Sequence, residues 1–122
     1  MIAPVRPATA LFLAGLALPL PSVADPAEVV RAEARETGGT WTVSVTLRHP
    51  DTGWDDYADG WRIVTEAGDI VGTRELLHPH VNEQPFTRSL SGVALPTGEP
   101  LFVESSTNVT GWSGEKLPLT LP

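Results

Sequence analysis

Thr40 to Arg48, TWTVSVTLR, alternates without a break, with Trp41, Val43, Val45 and Leu47 against Thr42, Ser44, Thr46 and Arg48. A period of two held over this length fits a half-buried antiparallel strand. It excludes an amphipathic helix, whose apolar positions recur every three or four residues. Gly38-Gly39 reads as a turn into that strand, and Ala27 to Glu36 reads as the strand before it, because Val30, Ala32 and Ala34 alternate with charged residues. The same pattern returns along the chain. Gly60 to Glu66 turns Trp61 and Ile63 inward, Ala67-Gly68-Asp69 is a hairpin turn, and Ile70 to Leu77 returns as a strand. Phe86 to Leu95 carries Phe86, Arg88 and Leu90 on one face. Pro96 to Glu99 is a turn, Leu101 to Val109 a strand, Thr110 to Glu115 a glycine-bounded loop, and Leu117 to Leu121 the last strand. Pro118 restricts that last strand to a sheet edge or a strand start.

Short strands with turn signals about every ten residues predict an all-β fold. The expected architecture is a seven-stranded antiparallel sandwich of the immunoglobulin or fibronectin type III kind. It occupies residues 25–122 as a single β-sandwich domain, because Met1 to Ala24 has the parts of a secretory signal peptide. Arg6 is the leader's sole charge, Ala8 to Leu20 is an apolar run, and Ser22-Val23-Ala24 offers small residues for cleavage before Asp25. Residues 25–122 are enough chain to bury roughly 60 to 70% of the unfolded surface. With Arg6 removed, seven basic residues against 15 acidic ones leave a charge of −8. Such a surface argues against nucleic acid and, once the leader is cut, against membrane as partners, and it favours cations and basic partners. The sequence has no cysteine, so neither disulfides, thiolate metal sites nor a lipid-modified cysteine contribute. The expected location is exported, either periplasmic or extracellular.

Two segments carry more chemistry than connections need. HPDTGWDDYADGW, His49 to Trp61, holds one His, four Asp, two Trp and the only Tyr, and LLHPHVNEQPF, Leu76 to Phe86, holds the other two His. If successive strands run up and down, every second connection falls at one end of the sandwich. That parity puts 49–59, 78–85 and 110–115 at one pole and the plain turns at the other. His78-Pro79-His80 sets two imidazoles at alternate positions of an extended segment, and His49-Pro50 repeats the His-Pro step. With Asp51, Asp55 or Asp56 as a fourth ligand, His49, His78 and His80 would suit Zn²⁺ or Cu²⁺. The structural alternative is that His49 and His78 hydrogen-bond loop carbonyls and hold the loops in shape. Asp51, Asp55, Asp56 and Asp59 offer oxygen ligands for Ca²⁺, although their spacing is not that of an EF-hand and aspartates also cap turns. Trp54, Tyr57 and Trp112 could form a platform for a sugar or peptide, whereas Trp41 and Trp61 read as core. Ser105, Ser106 and Ser113 lack the setting of a nucleophile elbow, and paired carboxylates carry little information in so acidic a chain.

The run from Leu90 to Leu121, with its Pro-Gly turn, aromatic-bearing strand and glycine-rich final loop, resembles the closing strands of fibronectin type III domains. Phe102 stands where the usual strand tyrosine would be. HPDTGWDDYADGW together with LLHPHVNEQPFTRSL is similar to a group of small exported bacterial proteins of unassigned function. In that group the position of Asp56 is often His, and the likeness implies no activity. A weaker resemblance is to superoxide reductases, which are immunoglobulin-like and have a His-Pro segment followed by another His and a Trp. His49, Pro50 and Trp61 are the positions that correspond, and the cysteine ligand such iron sites require is absent. Taken together, the sequence predicts an exported, non-catalytic binding module. Its ligand-binding residues are Trp54, Asp55, Tyr57, Glu83 and Trp112, and its metal candidates are His49, Asp51, His78 and His80. The partner is a small ligand, a metal ion or another exported protein. A structural or assembly role without a small ligand is the remaining class.

Overall fold

The alternation of Thr40 to Arg48 becomes strand β2, Thr40–Arg48, in which Trp41, Val43, Val45 and Leu47 are buried. The structure, a computed structural model, describes residues 3–4 and 24–122. The leader expected over Met1 to Ala24 lies outside the described residues except at 3, 4 and 24. Ahead of β2 runs β1, Glu28–Thr37. The two close as a tight hairpin in which Thr37 pairs with Thr40 across Gly38 and Gly39, both at positive φ (61° and 85°). A two-residue turn of this hand matches the right-handed twist of the strands it joins, and glycine adopts it without a Cβ clash.

Five more strands follow, namely β3 Ala58–Thr65, β4 Ile70–Glu75, β5 Phe86–Val93, β6 Leu101–Thr107 and β7 Gly111–Leu119. All pairings are antiparallel. They form a three-stranded sheet in the order β1-β2-β5 and a four-stranded sheet in the order β4-β3-β6-β7. The apolar faces meet between the sheets. Val43, Val45, Leu47 and Phe86 come from one sheet and Trp61, Ile63 and Val103 from the other, each at most 2% exposed. Outside, the three-stranded sheet presents hydroxyl pairs across β2 and β5, Ser44 with Ser89 at 2.7 Å and Thr46 with Thr87 at 2.8 Å. These are the polar positions that the alternation places away from the core.

One expected element is corrected. Thr110 to Glu115 is not a loop, because β7 begins at Gly111 and Trp112 is a strand residue paired with Ser106. The reversal needs only Asn108 to Thr110, because the Thr107 hydroxyl accepts from the amides of Val109 (3.3 Å) and Thr110 (2.9 Å) and closes the bend. Gly111 and Gly114, read from the sequence as loop bounds, sit at positive φ inside β7, beside a register shift between Glu104 and Ser106. Pro118 lies in β7, the edge strand of its sheet, where no ladder hydrogen bond is required of it on the outer side.

Candidate functional site

The connection after β2 and the one after β4 are locked together by one carboxylate. Asp51 is buried, with no exposed side-chain surface. Its Oδ1 lies 2.6 Å from Nδ1 of His49 and accepts the amide of Ala58 at 3.0 Å, and its Oδ2 accepts the amide of His80 at 2.8 Å. Gln84 ties the same two segments again. Its Oε1 accepts the His49 amide (3.0 Å) while its Nε2 donates to the His80 carbonyl (2.9 Å). A buried charge is tolerated where its lone pairs are met by donors, and here three donors meet them. The third connection joins through Asn108, whose Nδ2 donates to the Trp54 carbonyl and whose Oδ1 accepts the Tyr57 amide, each at 2.9 Å. The connections 49–57, 76–85 and 108–110 therefore share one end of the molecule.

His49 is 1% exposed, and its second nitrogen, Nε2, lies 3.1 Å from the carbonyl oxygen of Asp25 and 3.6 Å from Asp56 Oδ1. Both ring nitrogens face protein oxygens, so the imidazole clamps the segment ahead of β1 and the loop to each other. His78 is exposed, and its Nδ1 lies 3.0 Å from the carbonyl oxygen of Pro79. His80 is buried between rings. It stacks on Phe86 at 3.9 Å with planes 9° apart, and the His78 ring lies 4.5 Å away on a 36° tilt. Nε2 of His80 accepts from the Arg88 guanidinium at 2.9 Å, and Nδ1 is buried without a partner. Burial, then the charges of Arg88 and His78, hold the His80 pKa below the ordinary 6.5, against smaller opposing pulls from Glu83 and Asp51. Arg88 is fixed in turn by Glu83, whose Oε1 accepts from it at 3.1 Å.

The metal set His49, Asp51, His78 and His80 is thus brought to one pole without closing into a ligand sphere. His49 and Asp51 spend their polar atoms on each other and on backbone, and only His78 and His80 have adjacent rings. Among the described residues no group of three or more His, Asp or Glu side chains could hold a metal ion. The calcium set does not gather either. Asp55 is exposed, and Asp56 carries a buried Oδ1 without a hydrogen-bond partner. Of the ligand-binding set, Trp54 (66% exposed) meets Tyr57 edge to face at 5.5 Å, and Glu83 sits on Arg88. Trp112 does not belong to that aromatic pair. Its ring lies 4.0 Å from the Arg62 guanidinium, on the row of β3 and β7 residues facing away from Trp61. Arg62 is held there by Glu104, with Nε to Oε1 at 2.8 Å. Gln84, Arg88 and Asn108 are not among the site residues expected from the sequence, although Arg88 has a signal, a charge at an inward position of an alternating strand.

No family model matches the sequence. A relative from Halomicrobium mukohataei, named "Putative lipoprotein", is 42% identical over 93 residues, which is 75% of this chain. The chain spans 45% of that protein's length. Among solved structures, the hypothetical protein PH1083 from Pyrococcus horikoshii OT3 is 18% identical with a TM-score of 0.49, over 78% of this chain and 90% of that one. A superoxide reductase in the oxidized state is 18% identical with a TM-score of 0.46, over 79% and 90%. A superoxide reductase (neelaredoxin) from Archaeoglobus fulgidus in the reduced form is 19% identical with a TM-score of 0.42, over 81% and 90%. The expectation that the chain is non-catalytic is corrected on this finding, since solved structures that resemble it include enzymes. Likeness at this level carries no activity to this chain. The iron of superoxide reductases does not fit the residues present, because the sequence has no cysteine and neither ring nitrogen of His49 is left to a metal.

Proposed function

We propose that this chain is one exported domain, an immunoglobulin or fibronectin type III-like sandwich, that binds a small ligand or another exported protein through its even-numbered connections. The strand orders β1-β2-β5 and β4-β3-β6-β7 support the fold type, since the chain crosses between sheets after β2, β4 and β5 as a Greek-key sandwich does. Export is supported by the leader-like composition of Met1 to Ala24 and by the name of the Halomicrobium relative.

The observation that carries the binding reading is the shared clamp of the three connections, from which apolar side chains project. Asp51, Gln84 and Asn108 hold the loops, and Trp54, Leu77, Val81 and Val109 are each more than half exposed on them. Exposed apolar groups on clamped loops favour association, because little ordering entropy is lost on binding. Titrating the full chain with a panel of oligosaccharides and short peptides, followed by amide chemical shifts, tests the reading. Shifts concentrated at 52–57, 77–83 and 108–110, and reduced by Trp54→Ala, support it. Shifts on the sheet faces that ignore Trp54→Ala overturn it.

A metal ion is the second reading, and it contracts to His78 and His80, whose rings are adjacent. Either Zn²⁺ or Cu²⁺ would serve as the probe. No saturable binding below about 100 μM, roughly −5.5 kcal/mol, removes it.

A further inference from the structure

We propose that the open depression beside β5 walled by His78, His80 and Arg88 is a carboxylate-binding site, occupied in the free chain by the carboxylate of Glu83. This rests on the reading that the even-numbered connections bind a ligand, and it names the ligand's chemistry. His78, His80, Asn82, Glu83 and Arg88 line the depression. In a chain of formal charge −7, it gathers an arginine and two of the three histidines around a single carboxylate.

The guanidinium is aimed before any ligand arrives. Arg88 donates through one terminal nitrogen to Nε2 of His80 at 2.9 Å and through the other to the Thr87 carbonyl at 2.7 Å and to Glu83 Oε1 at 3.1 Å. The first two partners are fixed parts of the fold, since His80 is stacked on Phe86 and Thr87 belongs to β5. Glu83 is different. Its side chain is 59% exposed and its bond is an ion pair at the rim, of the kind that contributes little and is readily exchanged. It shows that the free quadrant of Arg88 accepts a carboxylate, the anion whose geometry a guanidinium matches.

His80 adds a second argument. An arginine can only donate, so Nε2 of His80 must accept, and in the neutral ring the hydrogen then sits on Nδ1. That nitrogen is buried without a partner. Nδ1 is therefore out of a ligand's reach, and what His80 contributes is the fixed Nε2 acceptor that aims Arg88, beside the exposed imidazole of His78. A metal cation is the poorer occupant, because Arg88 covers one nitrogen of His80 with a positive charge.

The test uses the full chain, a tetra-alanine peptide with a free C-terminal carboxylate, the same peptide as its C-terminal amide, and acetate, followed by amide shifts and calorimetry. The free acid is expected to shift residues 78–83 and 88, and the amide to bind at least tenfold more weakly. Glu83→Gln removes the internal competitor and is expected to tighten the acid about three- to tenfold, while Arg88→Gln abolishes the shifts. Arg88→Lys keeps the charge and loses the fork, so partial binding by it separates lost recognition from lost folding. Shifts with acetate alone assign a free acid, and shifts confined to the peptide acid assign a chain terminus. Equal binding of acid and amide, or weaker binding by Glu83→Gln, overturns the proposal. If the amide shifts 52–57 as strongly as the acid, the carboxylate assignment falls while the loop pole still binds. Where no probe shifts any loop residue, both readings fall.

Discussion

Removing the Asp51 carboxylate is the sharpest perturbation the fold offers, because three donors converge on it from separate parts of the chain. Asp51→Ala leaves Nδ1 of His49, the amide of Ala58 and the amide of His80 without their acceptor, all at buried positions. A buried donor stripped of its partner costs about 1–3 kcal/mol, and a broken buried charge network about 3–5, so the expected loss is about 3–5 kcal/mol. For a domain of this size each kcal/mol lowers Tm by roughly 4–8 °C, which makes the expected drop at least about 12 °C. Asp51→Asn keeps one acceptor oxygen but turns a donor toward either His80 or the His49 and Ala58 pair, so about 2–3 kcal/mol is expected. Thermal and urea unfolding give the totals, and hydrogen exchange at the amides of residues 58 and 80 gives the location. A double-mutant cycle of Asp51→Ala with His49→Ala should show a coupling of at least about 1 kcal/mol. A loss below about 1 kcal/mol for Asp51→Ala, with both amides still protected, would show that something other than this carboxylate holds the loops.

Trp61→Ala empties the centre of the sandwich, where the side chain is fully buried, and should cost about 3–5 kcal/mol in urea unfolding; a cost under about 2 would mean the core collapses onto the gap. Asn108→Ala removes two 2.9 Å hydrogen bonds to the 49–57 connection and should cost about 1–2 kcal/mol, with faster amide exchange at Tyr57. Unchanged exchange at that amide would place the third connection outside the clamp. The depressed pKa of His80 has a sign that can be read directly. The unfolded chain binds a proton near 6.5 and the folded chain only at lower pH, so stability is complete above about 6.5 and declines as pH falls from there toward the folded value. His80→Gln should flatten that part of the stability profile between pH 7 and 5, and an unaltered slope would assign it to other groups.

Much of the fold was legible because it rests on local rules. The alternation of Thr40 to Arg48 names its own buried face, and Gly38-Gly39 names the hairpin that precedes it. That the connections after β2, β4 and β6 share a pole follows from strand parity, needing only that the strands run up and down, although the third was expected at 110–115 and lies at 108–110. What was not legible depends on partners distant in the chain. A His-Pro step says nothing about whether the imidazole faces a metal or two oxygens, and for His49 the deciding atoms belong to Asp25 and Asp51. The start of β7 was misplaced because glycines at 111 and 114 read as loop, while the device that shortens the bend is the Thr107 hydroxyl. Gln84 and Asn108 have ordinary turn chemistry in the sequence, and their roles arise from contacts 35 and 51 residues away.

Positioning and contact are assigned to different residues at this pole, and that division is itself a physical consequence of the loops' chemistry. Connections of this length contain backbone donors that the sandwich ladders cannot satisfy, so side chains must supply acceptors from within. Asp51, Gln84 and Asn108 do so and are turned toward backbone, which leaves the apolar groups of the same loops, Trp54, Leu77 and Val81, to face outward. Truncating the inward set should therefore appear as lost stability and faster exchange with ligand affinity falling only as the fold loosens. Truncating the outward set should appear as lost affinity at constant Tm. A chain whose loops served only as connections would show the first pattern and never the second.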